Sequence, residues 1–148
     1  MKNILFPTDF SEVSMNAFLY ALEYAQKMDA KIIVFHTFDL NVEAQDHVAA
    51  VYKELDIKNF RSKKETFPPF EEIVAKKQLS DIKIKYVVRE GSFLETFTQY
   101  VSKREDKIDL VVMGTQFTKN NLFELFTYSL AEDLVKNINT PVMAIYRE

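Results

Sequence analysis

The sequence predicts an α/β protein, a three-layer sandwich in which a parallel, Rossmann-like sheet carries helices on both faces. Short apolar runs alternate with amphipathic stretches in the order βα, βα(α), βα, βα, β, and such alternation is typical of parallel sheets. Most of the apolar runs are continuous, as expected for strands that are buried on both faces. With 148 residues, 47% of them hydrophobic, the chain can form one domain over residues 1–148 with a full core.

The first forty residues form a β–α–β unit. Asn3 to Phe6 is a short apolar strand, and Ser11 is the predicted N-cap of a helix from Glu12 to Met28. Apolar side chains recur on one face of this helix, and a second strand follows from Lys31 to Phe38. A crossover of this kind makes the two strands parallel neighbours with a right-handed connection.

The remaining chain continues the alternation of strands and helices. Lys83 and Lys85 alternate with apolar residues, which places the third strand near a sheet edge. The predicted elements are helical segments 42–57 and 70–78, a strand over 82–88, a helix opened by a Ser92–Glu95 capping box, a strand from Leu110 to Met113, a helix from Leu130 to Asn137 opened by a Ser129–Glu132 capping box, and a strand from Val142 to Tyr146.

The fourth strand marks the candidate binding site, because its apolar run stops at Gly114 and a polar segment follows. Glycine lets the backbone turn sharply or approach a ligand closely. In open α/β sheets ligands bind in the crevice beyond the strand ends, and a helix N-terminus, here capped by Ser129, favours anions. The stretch therefore predicts a phosphate site, although an ordinary strand–loop–helix connection explains the same residues equally well.

The amino-acid composition excludes several kinds of binding partner and several kinds of reactive site. The chain has no cysteine, which removes disulfides, thiolate nucleophiles and Cys-based metal sites and suits a reducing compartment. A net charge of −3 gives no general attraction to nucleic acid or anionic lipid. No apolar run approaches the length of a membrane span, and the opening residues are too short for a signal-peptide core. We therefore expect neither a nucleic-acid nor a membrane partner.

No catalytic constellation is visible in the sequence, and we predict that the protein is not an enzyme. His36 ends a buried strand and His47 lies in a predicted helix, so both are interpreted as structural or surface residues. Asp9 has two interpretations, a turn residue that accepts backbone hydrogen bonds or a carboxylate facing the crevice. A nucleotide hydrolase is the least favoured function.

Several short motifs along the chain carry a family resemblance, and they are Ile4–Ser11, Ala30–His36, Gly91, Asp109–Thr115, Ser129–Glu132 and Asn139–Val142. Taken together, they resemble the universal stress protein family, of the adenine nucleotide alpha hydrolase-like fold, across nearly the whole chain. The resemblance implies a sheet of order 3-2-1-4-5, a cytoplasmic location, a role in stress response and a homodimer formed through the strand Pro141–Arg147.

Many members of the family bind ATP, and this chain matches their motif only in part. That motif has a glycine after strand four, a second glycine three residues on, and a Gly-Ser or Gly-Thr pair about ten residues later. Gly114 matches the first glycine, whereas Phe117 and Tyr128 stand where the others belong, in a loop that is one residue longer. Asp9 matches the aspartate that touches the nucleoside in the family.

Bulky side chains at these two positions would crowd the phosphates and make positive φ costly, so we predict weakened or absent ATP binding. The nucleoside end and the anion site at the helix would remain, with Glu132 and Asp133 opposing an anion and Lys119 offsetting part of that effect. The predicted function is a nucleotide-responsive binding module for ATP or another adenine nucleotide. The alternative is a homodimeric interaction scaffold that binds no nucleotide. The predicted binding residues are Pro7, Thr8, Asp9, Met113, Gly114, Thr115, Phe117, Tyr128, Ser129 and Leu130.

Overall fold

The computed structural model describes residues 2–9, 12–38, 73, 81–103, 106–116 and 128–146. The predicted helical segments 42–57 and 70–78 lie outside these residues, apart from Ile73, which is helical. The described strands are β1 (Lys2–Pro7), β2 (Ala30–Phe38), β3 (Ile84–Glu90), β4 (Leu110–Thr115) and β5 (Val142–Tyr146), and the described helices are α1 (Glu12–Met28), α2 (Phe93–Lys103) and α3 (Tyr128–Asn137).

The strands form one parallel five-stranded sheet of order β3-β2-β1-β4-β5, which confirms the predicted topology. The chain begins in the central strand, proceeds to one edge through β2 and β3, and then returns across the sheet to β4 and β5. The strand order therefore reverses between β1 and β4. This is the position at which doubly wound sheets bind ligands.

Both faces of the sheet are covered, because successive side chains of a buried strand point to opposite sides. Phe6 and Val34 pack with α1 on one face, and Phe35 packs with α2 on the other. Around Phe35 the rings of Phe93, Phe97 and Tyr100 lie with centroids 6.4, 5.4 and 5.3 Å away. These two cores make the three layers that the alternation of elements predicts.

The amino-terminal end of β1 is tied to the segment that precedes β4. The Asn3 backbone N–H donates to the Asp109 carboxylate over 2.9 Å, and the Asn3 side-chain amide donates to the Lys107 carbonyl over 2.7 Å. The Asp109 N–H in turn donates to the Asn3 carbonyl over 3.0 Å. β1 and β4 are thus held together at the end of the sheet opposite the predicted crevice.

A polar cluster attaches the edge strand β3 to the end of α2. The Lys85 ammonium and the Tyr100 hydroxyl both donate to Asp106 Oδ2, over 2.7 and 2.8 Å, and the Arg89 guanidinium lies 5.9 Å from the Tyr100 ring centroid. The hydrogen bond from Lys85, followed by that from Tyr100, holds the pKa of Asp106 below its ordinary value of 3.8.

This depressed pKa predicts an acid-dependent contribution to stability. A carboxyl with a lower pKa in the folded state stabilises the fold above the unfolded pKa, and that contribution is lost as pH falls through the folded value. We expect Lys85→Met to lower the free energy of unfolding by about 0.5–1 kcal/mol near pH 7 and by progressively less below about pH 4. Urea unfolding from pH 2 to 7 measures this, with Lys83→Met at a nearby exposed lysine as the control. A difference that is independent of pH would contradict the assignment.

Candidate functional site

The crevice arises because β1 and β4 part before their carboxyl ends. Within these fully described strands, β1 pairs with β4 only at Ile4 and Leu5. By contrast, β1 stays paired with β2 as far as Pro7, and β4 stays paired with β5 as far as Thr115. The hydrogen bonds of Asn3 to Asp109 and Lys107 join the two strands at the opposite end of the sheet. The gap therefore opens toward the carboxyl ends of the strands.

Thr8 lies at the rim of this crevice and joins three elements. It is 2% exposed, and its N–H donates to the Phe35 carbonyl of β2 over 2.9 Å. Its side-chain oxygen accepts a hydrogen bond of 2.5 Å from the Ser14 hydroxyl of α1. Its carbonyl lies 3.0 Å from Nδ1 of His36. Thr8 thus fixes the chain direction just before Asp9, which is half-buried.

The contact with Thr8 also defines the tautomer of His36. A carbonyl oxygen only accepts hydrogen bonds, so Nδ1 of the imidazole carries a proton and donates it. The same donor is present in the neutral Nδ1–H tautomer and in the charged ring. Since His36 follows Phe35, which faces α2, strand alternation places His36 on the α1 side of the sheet.

Gly114 differs from its predicted role. It lies inside β4, which continues to Thr115, and its φ is not positive, whereas Gly91 has a φ of 133°. Of the two roles predicted for Gly114, a sharp turn or a close approach to a ligand, the sharp turn is therefore wrong. A Cβ at this position would lie 2.4 Å from the Val13 carbonyl oxygen. Glycine is needed here because the first turn of α1 packs directly against the β4 backbone.

The residues on either side of Gly114 face the opposite core. Met113 is fully buried among residues that contact α2 and α3, so its side chain belongs to the core and only its backbone is near the crevice. Thr115 is also fully buried, and its Oγ1 has no hydrogen-bond partner among the described residues. Gln116, which is 7% exposed, ends the described part of this segment.

The helix that follows β4 in the chain starts earlier than the sequence predicts. α3 begins at Tyr128, so Ser129 is its second residue, and the prediction that Ser129 is the N-cap is wrong. Phe117 and the side chains of Tyr128 and Ser129 lie outside the described residues. Leu130 is half-buried against the core between the sheet and α2.

Sequence reasoning missed the contribution of Ser14 and His36 to this site. Both side chains hold Thr8, one from α1 and one from β2. The sequence feature that could have indicated this role is the position of His36 in its strand. His36 stands near the carboxyl end of a strand that pairs with β1, where its ring can reach a rim carbonyl.

Two kinds of feature are absent from the described part of the chain. There is no group of three or more His, Cys, Asp or Glu side chains that could hold a metal ion. No helix there combines the length and the apolar character needed to cross a membrane.

The reversed strand order and the crevice at the reversal define the class, a doubly wound α/β protein with its candidate site at the switch point. The family follows from comparison with known proteins. The chain belongs to the universal stress protein family, whose family model matches residues 1–145.

Curated relatives and solved structures agree with this assignment. A universal stress protein of Methanocaldococcus jannaschii is 28% identical over 161 residues, covering 99% of this chain and 96% of the relative. The structure of universal stress protein UspA from Lactobacillus plantarum superposes with a TM-score of 0.78 at 23% identity, covering 97% of each chain.

Two further structures of this fold contain an adenine nucleotide. A universal stress protein in complex with cAMP has a TM-score of 0.65 and 16% identity, covering 99% of this chain and 98% of its own. A family protein from Arabidopsis thaliana with AMP bound has a TM-score of 0.58 and 17% identity, covering 100% of this chain and 93% of its own. At these identities the likeness shows the shared fold alone.

Proposed function

We propose that this protein is a cytoplasmic, non-catalytic binding module of the stress response that takes an adenine nucleotide in the crevice between β1 and β4. The proposal is carried by the end of the β1–β4 pairing at Leu5 and Val111, because the two strands part at the position where this fold class binds ligands. The complexes of structural neighbours with cAMP and AMP support the choice of ligand.

The nucleoside end of the proposed site lies at the carboxyl end of β1. Pro7, Thr8 and Asp9 form its rim, and the described hydrogen bonds of Thr8 to Phe35, Ser14 and His36 hold this rim in place before a ligand arrives. Preorganised groups lose little conformational entropy on binding. In this proposal the Asp9 carboxylate contacts the ribose hydroxyls, which are hydrogen-bond donors that suit a carboxylate acceptor.

The phosphate end of the proposed site lies at the start of α3. This helix has no acidic residue in its first turn. Glu132 and Asp133 follow that turn, so they lie farther along the helix from an anion at its start than first-turn residues would, and charge repulsion weakens with distance. The expected repulsion of an anion by these two residues is therefore smaller than the sequence alone predicts.

Weak ATP binding remains part of the proposal, because Phe117 and Tyr128 replace motif glycines. We expect Phe117→Gly with Tyr128→Gly to raise the affinity for ATP at least about tenfold, if the side chains exclude the phosphates. Isothermal titration of the wild type and the double variant with ATP and with AMP measures this. The gain should be larger for ATP than for AMP.

The matched control for this titration is Asp9→Ala in the double-glycine background. This substitution should weaken the binding of ATP and of AMP equally, since both nucleotides contain the same nucleoside. No binding of either nucleotide by the wild type, together with no nucleotide released by heat from freshly purified protein, would reject the proposed function.

An interaction scaffold is the second candidate function, and the edge strand β5 favours it. Val142 to Ile145 are all half-buried rather than buried, and Tyr146 is 45% exposed. Apolar edge strands of this kind pair readily with another chain. The proposed homodimer through Pro141–Arg147 would use this edge. A dimer by sedimentation, combined with no thermal shift from ATP or AMP, would favour the scaffold over the nucleotide module.

A further inference from the structure

We infer that His36 is a positioning residue for the crevice, which it serves by fixing the peptide plane between Thr8 and Asp9. The inference rests on the proposed function for its choice of ligand, an adenine nucleotide. The observation behind it is the hydrogen bond of 3.0 Å from His36 Nδ1–H to the Thr8 carbonyl.

The carbonyl of Thr8 and the N–H of Asp9 belong to one planar peptide unit. The described residues contain no cis peptide bond, so these two groups point in opposite directions. His36 holds the carbonyl toward β2, and the Asp9 N–H is consequently directed to the β4 side, where the crevice opens. The imidazole therefore acts on the orientation of Asp9 without any contact with a ligand.

Two other described hydrogen bonds of Thr8 do not act on its carbonyl. The N–H of Thr8 and its hydroxyl fix the residue itself, against Phe35 and Ser14. Rotation about ψ of Thr8 would still turn the next peptide plane, because neither bond involves the Thr8 carbonyl. The hydrogen bond from His36 holds the Thr8 carbonyl and so opposes this rotation directly.

Two substitutions at His36 distinguish the effect of its hydrogen bond to Thr8 from the effect of its packing. Asparagine places an amide N–H donor one atom beyond Cγ, as the imidazole does, whereas leucine fills a similar volume without a donor. Val34→Ala is the matched control, because Val34 lies on β2, is 1% exposed, and packs in the core on the same face. It weakens packing without removing a bond to Thr8.

The first readout needs no ligand. The backbone order parameter of Asp9, from ¹⁵N relaxation, should stay near about 0.85 in the wild type, His36→Asn and Val34→Ala, and fall toward about 0.6 in His36→Leu. An unchanged order parameter in His36→Leu, or an equal fall in His36→Asn, would overturn the inference.

The second readout is AMP affinity by isothermal titration. Loss of one hydrogen bond predicts about tenfold weaker binding for His36→Leu and less than about threefold for His36→Asn. Val34→Ala should lower the melting temperature and leave the affinity unchanged. Wild-type protein that binds no AMP would reject the proposed function, while the Asp9 order parameter would still decide whether His36 positions the rim.

Discussion

Gly114→Ala is expected to lower the free energy of unfolding by about 3 kcal/mol or more. The added Cβ would lie 2.4 Å from the Val13 carbonyl oxygen and 2.8 Å from its carbonyl carbon. These are backbone atoms of a helix, which cannot move aside as a flexible side chain can. The start of α1 would have to shift away from β4, losing core contacts along the helix. Urea unfolding monitored by circular dichroism measures the change.

The matched control for this substitution is Thr115→Val at the next position of β4. Thr115 is fully buried, and its hydroxyl has no partner among the described residues, so a methyl group in its place should leave stability unchanged or raise it by up to about 1 kcal/mol. The double variant Gly114→Ala, Val13→Ala should be at least as unstable as Gly114→Ala, since the clash with the Val13 backbone remains and truncation of the buried Val13 side chain adds its own cost. Rescue by Val13→Ala would show that a side chain was responsible.

Phe35→Ala is expected to cost about 3–5 kcal/mol, the usual range for a buried phenylalanine. Phe35 is fully buried, and its ring meets Phe97 and Tyr100 edge-on or tilted, at centroid distances of 5.4 and 5.3 Å. Removing the ring leaves a cavity under α2, and this helix should lose protection from hydrogen exchange before α1 does. Equilibrium unfolding and exchange measured by mass spectrometry test both parts.

Phe6→Ala supplies the comparison on the other face. Phe6 is equally buried and packs against Phe18 of α1, with ring centroids 5.3 Å apart. The stability loss should be similar, but α1 should then be the helix that loses protection. Equal loss of protection in both helices for both variants would show that the two cores unfold as one unit rather than separately.

Much of the fold could be predicted from periodicity and helix-start signals. The helix from Glu12 to Met28 has the predicted bounds, because its apolar face and its first turn are both explicit in the sequence. Ser92 precedes α2, and its carbonyl accepts from the Thr96 N–H, as expected of an N-cap. The strand order came from the resemblance to a family, since alternation alone does not distinguish one parallel order from another.

The site was less predictable because its determinants are contacts between distant segments. The chain neighbours of Gly114 predict a turn, whereas the atom that requires glycine is the carbonyl oxygen of the distant Val13. Ser129 has the expected spacing to Glu132 for a capping box, but the helix starts at Tyr128. Periodicity could not show that His36 reaches the carbonyl of Thr8 on a neighbouring strand.

The two edges of the sheet are chemically unlike. β3 carries Lys85, Arg89 and Glu90, all exposed, whereas β5 has no charged residue between Val142 and Tyr146. Charged edges repel strand addition and uncharged ones permit it. In the proposed homodimer through β5, the sheet edge that each copy leaves open to a third copy would be the charged strand β3. Growth of that dimer by edge pairing would therefore end at a closed pair and would not continue into a filament.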